Sequence, residues 1–154
     1  MKKIRSSDVA LLLLRVVTGL VIAYFGSQKV FGAFGGQGFQ GTLSTFKEHM
    51  GISTPFAVCA MAGELLGGLG LTFGVLTRLA AFGVVSVMAV ATYVDASAPG
   101  TFAHIVSGNP FDSMSKVAFP LLIGVIALAI LIMGGGSLTL DSVLWRKRPA
   151  RRTT

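Results

Sequence analysis

The sequence predicts an all-α integral membrane protein: a four-helix bundle with both termini cytoplasmic and a short amphipathic helix in the first outer loop. Three observations predict it. Of 154 residues, 53% are hydrophobic and only 12% are charged, against about 25% charged in a typical globular domain. Four apolar runs divide the chain, and its basic residues gather at the two ends. A soluble fold with four buried helices would need an amphipathic outer layer that a chain this short cannot supply. Disorder is excluded, because it requires low hydrophobicity and high charge. A lone cysteine, Cys59, rules out a dense disulfide scaffold, an internal redox pair and a multi-cysteine metal site.

Lys2, Lys3 and Arg5 precede the first run, Val9 to Phe31. A cleaved leader would begin in the same way, but Arg15 interrupts the run and no A-x-A site follows it closely, so it reads as an uncleaved span. The second run is Phe56 to Leu76, the third Leu79 to Val94 and the fourth Val117 to Gly136. A span needs about 20 residues, within a range of about 17–25. The third run has 16 and would draw in flanking residues such as Thr77 and Asp95, or thin the bilayer locally. The expected spans are therefore about 9–31, 56–76, 79–95 and 117–136, in one membrane domain over 1–154 with a basic cytoplasmic tail at 146–154.

Orientation follows from Lys and Arg near the span ends. The N-terminal tail, the Thr77-Arg78 turn and the C-terminal tail share one side and hold nine: Lys2, Lys3, Arg5, Arg78, Arg146, Lys147, Arg148, Arg151 and Arg152. Lys47 and Lys116 lie on the other side, with Lys29 at its margin. Both termini should therefore be cytoplasmic, and both long connections should face out. The formal charge of +7 thus orients the chain and attracts anionic lipid, and no nucleic-acid partner is expected.

Between the first two spans, residues 31–41 are Gly-rich with interleaved phenylalanines, and no phosphate-cradling G-x-x-x-x-G-K-[ST] pattern occurs. In Thr42 to Met50, Leu43, Phe46 and Met50 recur at helical spacing beside Lys47, Glu48 and His49, as in a surface-lying amphipathic helix. The second outer loop, Asp95 to Lys116, contains His104, Asp95 and Asp112. With His49 these are the residues a metal or acid/base site would use, but their spacing matches no ligand signature, so no metal site is predicted.

A charge within a span costs about 2.5–3.5 kcal/mol on insertion scales and is a functional candidate by default. Arg15, Lys29 and Glu64 are three such residues. By helical rise, Glu64 lies between the two cations in depth, roughly 9 Å from each along the membrane normal. Long side chains bridge such gaps; alternatively Arg15 and Lys29 snorkel to the headgroups and never meet Glu64. Glu64 is short and deep, and is expected to face inward with a partner. Gln28 and Lys29 are donors suited to an acceptor such as a quinone carbonyl, and equally to ordinary interfacial anchoring. Glu64, Arg15, Lys29 and Gln28 form the candidate buried polar site, with no catalytic residue assigned. Around Glu64, Gly63 and Gly67 are four apart, as are Gly70 and Gly74, a spacing that lets helix backbones approach closely. Glu64, Gly67, Gly68 and Leu71 share a face, leaving room for a neighbouring helix or a flat ligand.

Leu14-Arg15 with Gly19, Gly26-x-x-Lys29, Phe31-Gly32 and Gly35-Gly36 open a longer pattern. It continues with Gly63-Glu64-Leu65-x-Gly67-Gly68, then Gly74-x-Leu76-Thr77-Arg78, and closes on Gly134-Gly135-Gly136-Ser137-Leu138-x-Leu140-Asp141. In order and spacing this resembles the DoxX family of small four-span bacterial membrane proteins. The resemblance implies a four-helix bundle associated with redox systems: relatives include a subunit of a thiosulfate:quinone oxidoreductase, and others are linked to oxidative-stress complexes with superoxide dismutase and a sulfurtransferase. Many relatives carry a histidine late in span three and an acidic residue at the start of span four. Here those regions read Tyr93-Val94-Asp95 and Lys116-Val117-Ala118-Phe119-Pro120, so activity resting on that histidine is not implied.

Two functional readings follow. The first is a membrane subunit of a quinone- or thiol-linked redox system, with quinone as the expected ligand and no intrinsic cofactor. No haem-attachment motif, dinucleotide fingerprint or cysteine pair occurs, so its electrons must come from a partner. The second is a non-catalytic accessory subunit packed in a larger complex. Either way the expected partners are membrane lipid and other proteins of a redox complex. A solute transporter would be expected to show discontinuous helices and an internal repeat, which are lacking.

Overall fold

The computed structural model describes residues 5–98 and 110–144. Among these there are helices and turns and no strand. In chain order they are α1 (Ser6–Phe31), a 3-10 turn (Ala33–Gly35), α2 (Gly38–Met50), α3 (Thr54–Phe73), α4 (Thr77–Ser97), α5 (Pro110–Met133) and α6 (Leu140–Leu144). Four helices are long and apolar enough to cross a membrane: Ser6–Phe31, Thr54–Phe73, Thr77–Ser97 and Ser115–Met133.

The boundaries differ from the hydropathy reading where backbone chemistry overrides side-chain polarity. The third span is not short: α4 has 21 residues, from Thr77 to Ser97. Its polar end residues keep the helical hydrogen bonds and put only their side chains outside the apolar zone. α4 takes in Thr77 and Asp95, as expected of an apolar run too short to span alone, and continues two residues further into what reads as the outer loop. Conversely, the second span ends at Phe73, because Gly74 (φ 70°) leaves the helix in the left-handed conformation that glycine adopts at little cost. The fourth ends at Met133, before Gly134 (φ 78°) and Gly136 (φ 75°).

α1 packs on α3, α3 on α4, α4 on α5, and α5 returns to α1, closing a ring of four helices. Ile22, Leu71, Ala81, Val84, Met88, Ile123, Ala127 and Ile130 fill the centre. The outward residues are as apolar as the inward ones: Leu13, Val17, Leu66, Leu79, Phe82, Leu122 and Ile132 are each at least 59% exposed. Water would not tolerate that surface, whereas hydrocarbon does.

Because the lipid supplies no hydrophobic drive between helices, close backbone approach has to hold the ring together. Gly19, Gly26 and Gly68 provide it between α1 and α3: a Cβ on Gly26 would sit 2.6 Å from the Leu65 amide, and one on Gly19 2.6 Å from the Thr72 amide. Gly63, Gly67 and Gly70 face α4, against Val87, Val84 and Ala80 respectively. Gly74 belongs to the turn and not to this packing.

One end of the bundle, here termed proximal, is tied by a polar knot. The Asp141 carboxylate accepts from the Leu76 and Thr77 amides, both at 2.8 Å, and from the Thr77 hydroxyl at 2.9 Å. The Asp141 amide in turn donates to the Gly74 carbonyl at 3.0 Å. These bonds hold Leu76 at φ 47°, a left-handed conformation unfavourable for a branched residue. Ser137 donates its amide to Asp8 at 3.2 Å, which fixes the start of α1 to the same chain segment.

Burial alone would push the Asp141 carboxyl up, but hydrogen bonds from Thr77 and Leu76 and the charge of Arg15 outweigh it and hold the group below the usual carboxylate range. A carboxyl depressed in the folded state contributes stability above its unfolded value of about 3.9, and loses it as pH falls through the folded value. Melting in detergent should thus be insensitive to this group from about pH 5 to 7 and decline at more acid pH. Asp141→Asn is expected to melt lower than wild type at pH 7 and to show a shallower acid decline. A variant as acid-sensitive as wild type would assign that decline to another group.

Candidate functional site

Lys29 occupies the last turn of α1 and Glu64 the middle of α3. Gly26 brings them together, since its bare backbone lets α1 lie against Leu65, the neighbour of Glu64. The Lys29 ammonium donates to Glu64 Oε1 at 2.5 Å. Glu64 is 3% exposed, and its second oxygen, Oε2, is buried with no hydrogen-bond partner. The ammonium also lies 5.7 Å from the centre of the Phe46 ring, within cation–π range. Phe46 comes from α2, which is fastened to α1 by the Thr42 hydroxyl donating to the Lys29 carbonyl at 3.3 Å.

Beside the pair a cavity of about 1080 Å³ opens at the distal end of the bundle, between α3 and α4 and against α2. Its walls are mainly apolar, with Phe46, Phe56, Cys59, Phe82, Val87 and Val90 among them. Gln28 also lines it. An apolar pocket with a few convergent polar groups is the usual form of a small-molecule site; this one slightly exceeds the common range of about 300–1,000 Å³ and is open towards the lipid-facing side, where Phe56 and Phe82 are exposed.

The four sequence candidates therefore separate. Lys29, Glu64 and Gln28 meet at the cavity, and Arg15 does not join them. Arg15 is 2% exposed in the proximal knot, where Nη1 donates to the Gly135 carbonyl and Nη2 to the Leu138 carbonyl, each at 2.8 Å. The reason is local: two carbonyls of the turn between α5 and α6, which is folded back against the start of α1, take its donors. Neither cation follows the snorkelling alternative, because Arg15 is enclosed and Lys29 is held by Glu64.

Asp95 is a cavity residue that loop reasoning missed. Lys116 and Lys29 are its electrostatic neighbours. The signal was present in the spacing, because Val87, Ala91 and Asp95 recur every four residues along one face of α4. Of the other residues weighed for a metal site, His104 and the side chains of His49 and Asp112 lie outside the described residues. Among the described residues no group of three His, Cys, Asp or Glu side chains is placed to hold a metal ion.

Comparison with known proteins places this architecture. The chain is 29% identical over 142 residues, 92% of each sequence, to a Bacillus subtilis (strain 168) protein named "Putative oxidoreductase CatD". No solved structure matches it. The model of the DoxX family matches residues 10–96, from α1 almost to the end of α4, which includes Lys29, Glu64 and the whole lining of the cavity. With more than half its length matched, this multi-pass membrane protein belongs to the DoxX family.

Proposed function

We propose that the protein is a membrane subunit of a quinone-linked redox system and that the distal cavity receives the quinone ring. The observation that carries this reading is the Lys29–Glu64 pair set in an apolar chamber with one carboxylate oxygen unpartnered. A lipid-soluble ring with polar groups at its edge and an apolar tail has the matching chemistry. Its ring packs among Phe46, Phe56 and Phe82, and its oxygen meets the charged pair. The likeness to a protein named as an oxidoreductase supports a redox role. Since the sequence has no haem-attachment motif, dinucleotide fingerprint or cysteine pair, a partner protein supplies or removes the electrons.

In this reading the proximal end faces the cytoplasm of a bacterial inner membrane, in keeping with the basic residues on that side. The distal cavity then lies in the outer leaflet, with α2 along the membrane surface. A short-tailed ubiquinone or menaquinone analogue, tested in both redox forms against the full-length protein in lipid nanodiscs, should bind saturably. Lys29→Met removes the donor and Ala60→Phe fills the cavity wall, and each is expected to weaken binding about tenfold or more. If both leave binding unchanged, the ring does not sit in this cavity.

A further inference from the structure

The unpartnered oxygen of Glu64 specifies which redox form of the ring the cavity prefers. Glu64 is enclosed, its Oε1 is taken by the Lys29 ammonium, and its Oε2 accepts nothing. A carboxylate beside an ammonium is an acceptor only. Leaving such an acceptor buried without a donor is destabilising, and the neighbouring hydroxyls are already committed. Ser86 donates to the Phe82 carbonyl at 2.9 Å and Thr42 to the Lys29 carbonyl at 3.3 Å, while the Thr45 hydroxyl faces the Gly41 carbonyl at 2.9 Å. Gly63, Ala60 and Val87 add no side-chain donor, and the Gln28 amide, which also lines the cavity, makes no hydrogen bond to Oε2.

We infer that the cavity selects the hydroxyl-bearing, reduced form of its ligand, a quinol, over the quinone. This rests on the quinone-site reading above and goes beyond it. A quinol hydroxyl donates a hydrogen bond to Glu64 Oε2, which a turn of the enclosed carboxyl presents to the cavity, and accepts from Lys29 through the same oxygen, satisfying both members of the pair. A quinone carbonyl accepts from Lys29 only, and its lone pairs face the carboxylate oxygen. The discrimination is that of a site built to bond a hydroxyl, which rejects an analogue lacking it because a buried polar group is then left unpaired.

Three ligands of one shape make the test: decylubiquinol, decylubiquinone and the dimethyl ether of the quinol. Saturation binding is measured anaerobically with the full-length protein in nanodiscs, with empty nanodiscs as the partition blank. The quinol is expected to bind about tenfold tighter than either of the others. In Glu64→Gln the three affinities should converge to within about twofold. Equal binding of quinol and quinone by wild type, or tighter quinone binding, would overturn the preference and leave the quinone site standing. A quinol preference that survives Glu64→Gln would overturn Glu64 as the acceptor. Absence of saturable binding by any of the three overturns this inference together with the reading beneath it.

Discussion

Gly68→Leu is expected to prevent the bundle from assembling, and Gly68→Ala to destabilise it by about 1–3 kcal/mol, the cost of overpacking a tight site. A Cβ on Gly68 would lie 2.8 Å from the Ala23 Cα and 2.8 Å from the Gly19 carbonyl. Both obstacles are backbone, so no rotamer change relieves the clash and α1 must move off α3. The loss falls on one of the most extensive helix pairs of the ring. It also falls on the functional pair, because Lys29 reaches Glu64 only while Gly26 keeps the same two helices together. Gly83→Ala is the control. A Cβ there meets nothing closer than the Gly63 carbonyl at 4.0 Å, and the better helix propensity of alanine should leave it neutral or up to about 1 kcal/mol more stable. Unfolding by SDS in mixed micelles measures all three. Equal effects of the two alanine variants would show that α1 and α3 do not rely on this approach.

Much of this architecture was legible in the sequence because bilayer chemistry leaves few alternatives. Long apolar runs must become helices where no water is present to satisfy the backbone, and their number and order follow directly. The candidate site was legible only in part. Glu64 announces itself as a short carboxylate deep in a span, and Lys29 as a cation one turn from a helix end. Depth alone, however, could not tell which cation is the partner, since Arg15 and Lys29 flank Glu64 at similar distances along the normal. What separates them is the rotation of each helix and the location of unpaired carbonyls, and both depend on tertiary contacts. Asp95 was hidden for a related reason: polarity was read as a helix end, although the period of four continued through it. The proximal knot was least visible. Asp141 comes 64 residues after Thr77, whose amide and hydroxyl donate to its carboxylate, and the Gly134–Gly136 turn returns the chain to it.

That knot yields the second large effect. Arg15→Met removes both donors to the Gly135 and Leu138 carbonyls and withdraws a positive charge from the neighbourhood of Asp141. The two carbonyls are part-buried, so each lost bond costs about 1–1.5 kcal/mol and the variant should lose about 2–3 kcal/mol, a substantial fraction of what holds a domain of this size together. Arg15→Lys keeps a charge but cannot reproduce the fork that reaches two carbonyls at once, and should lie between Met and wild type. Gly74 offers an independent check, because a Cβ on it would lie 2.9 Å from the Arg15 guanidinium carbon. Gly74→Ala therefore displaces the same group and also strains a left-handed backbone, so its cost and that of Arg15→Met should be strongly non-additive. Fully additive losses would mean that the two residues act separately and that the guanidinium does not organise this end. Arg15 and Lys29 are 14 residues apart on α1, about 21 Å along the helix. Under conditions where Arg15→Lys remains folded, ring binding at the distal cavity should therefore match wild type. A large change in affinity there would mean instead that the two ends are coupled through α1, and that the proximal knot sets the register at which Lys29 meets Glu64.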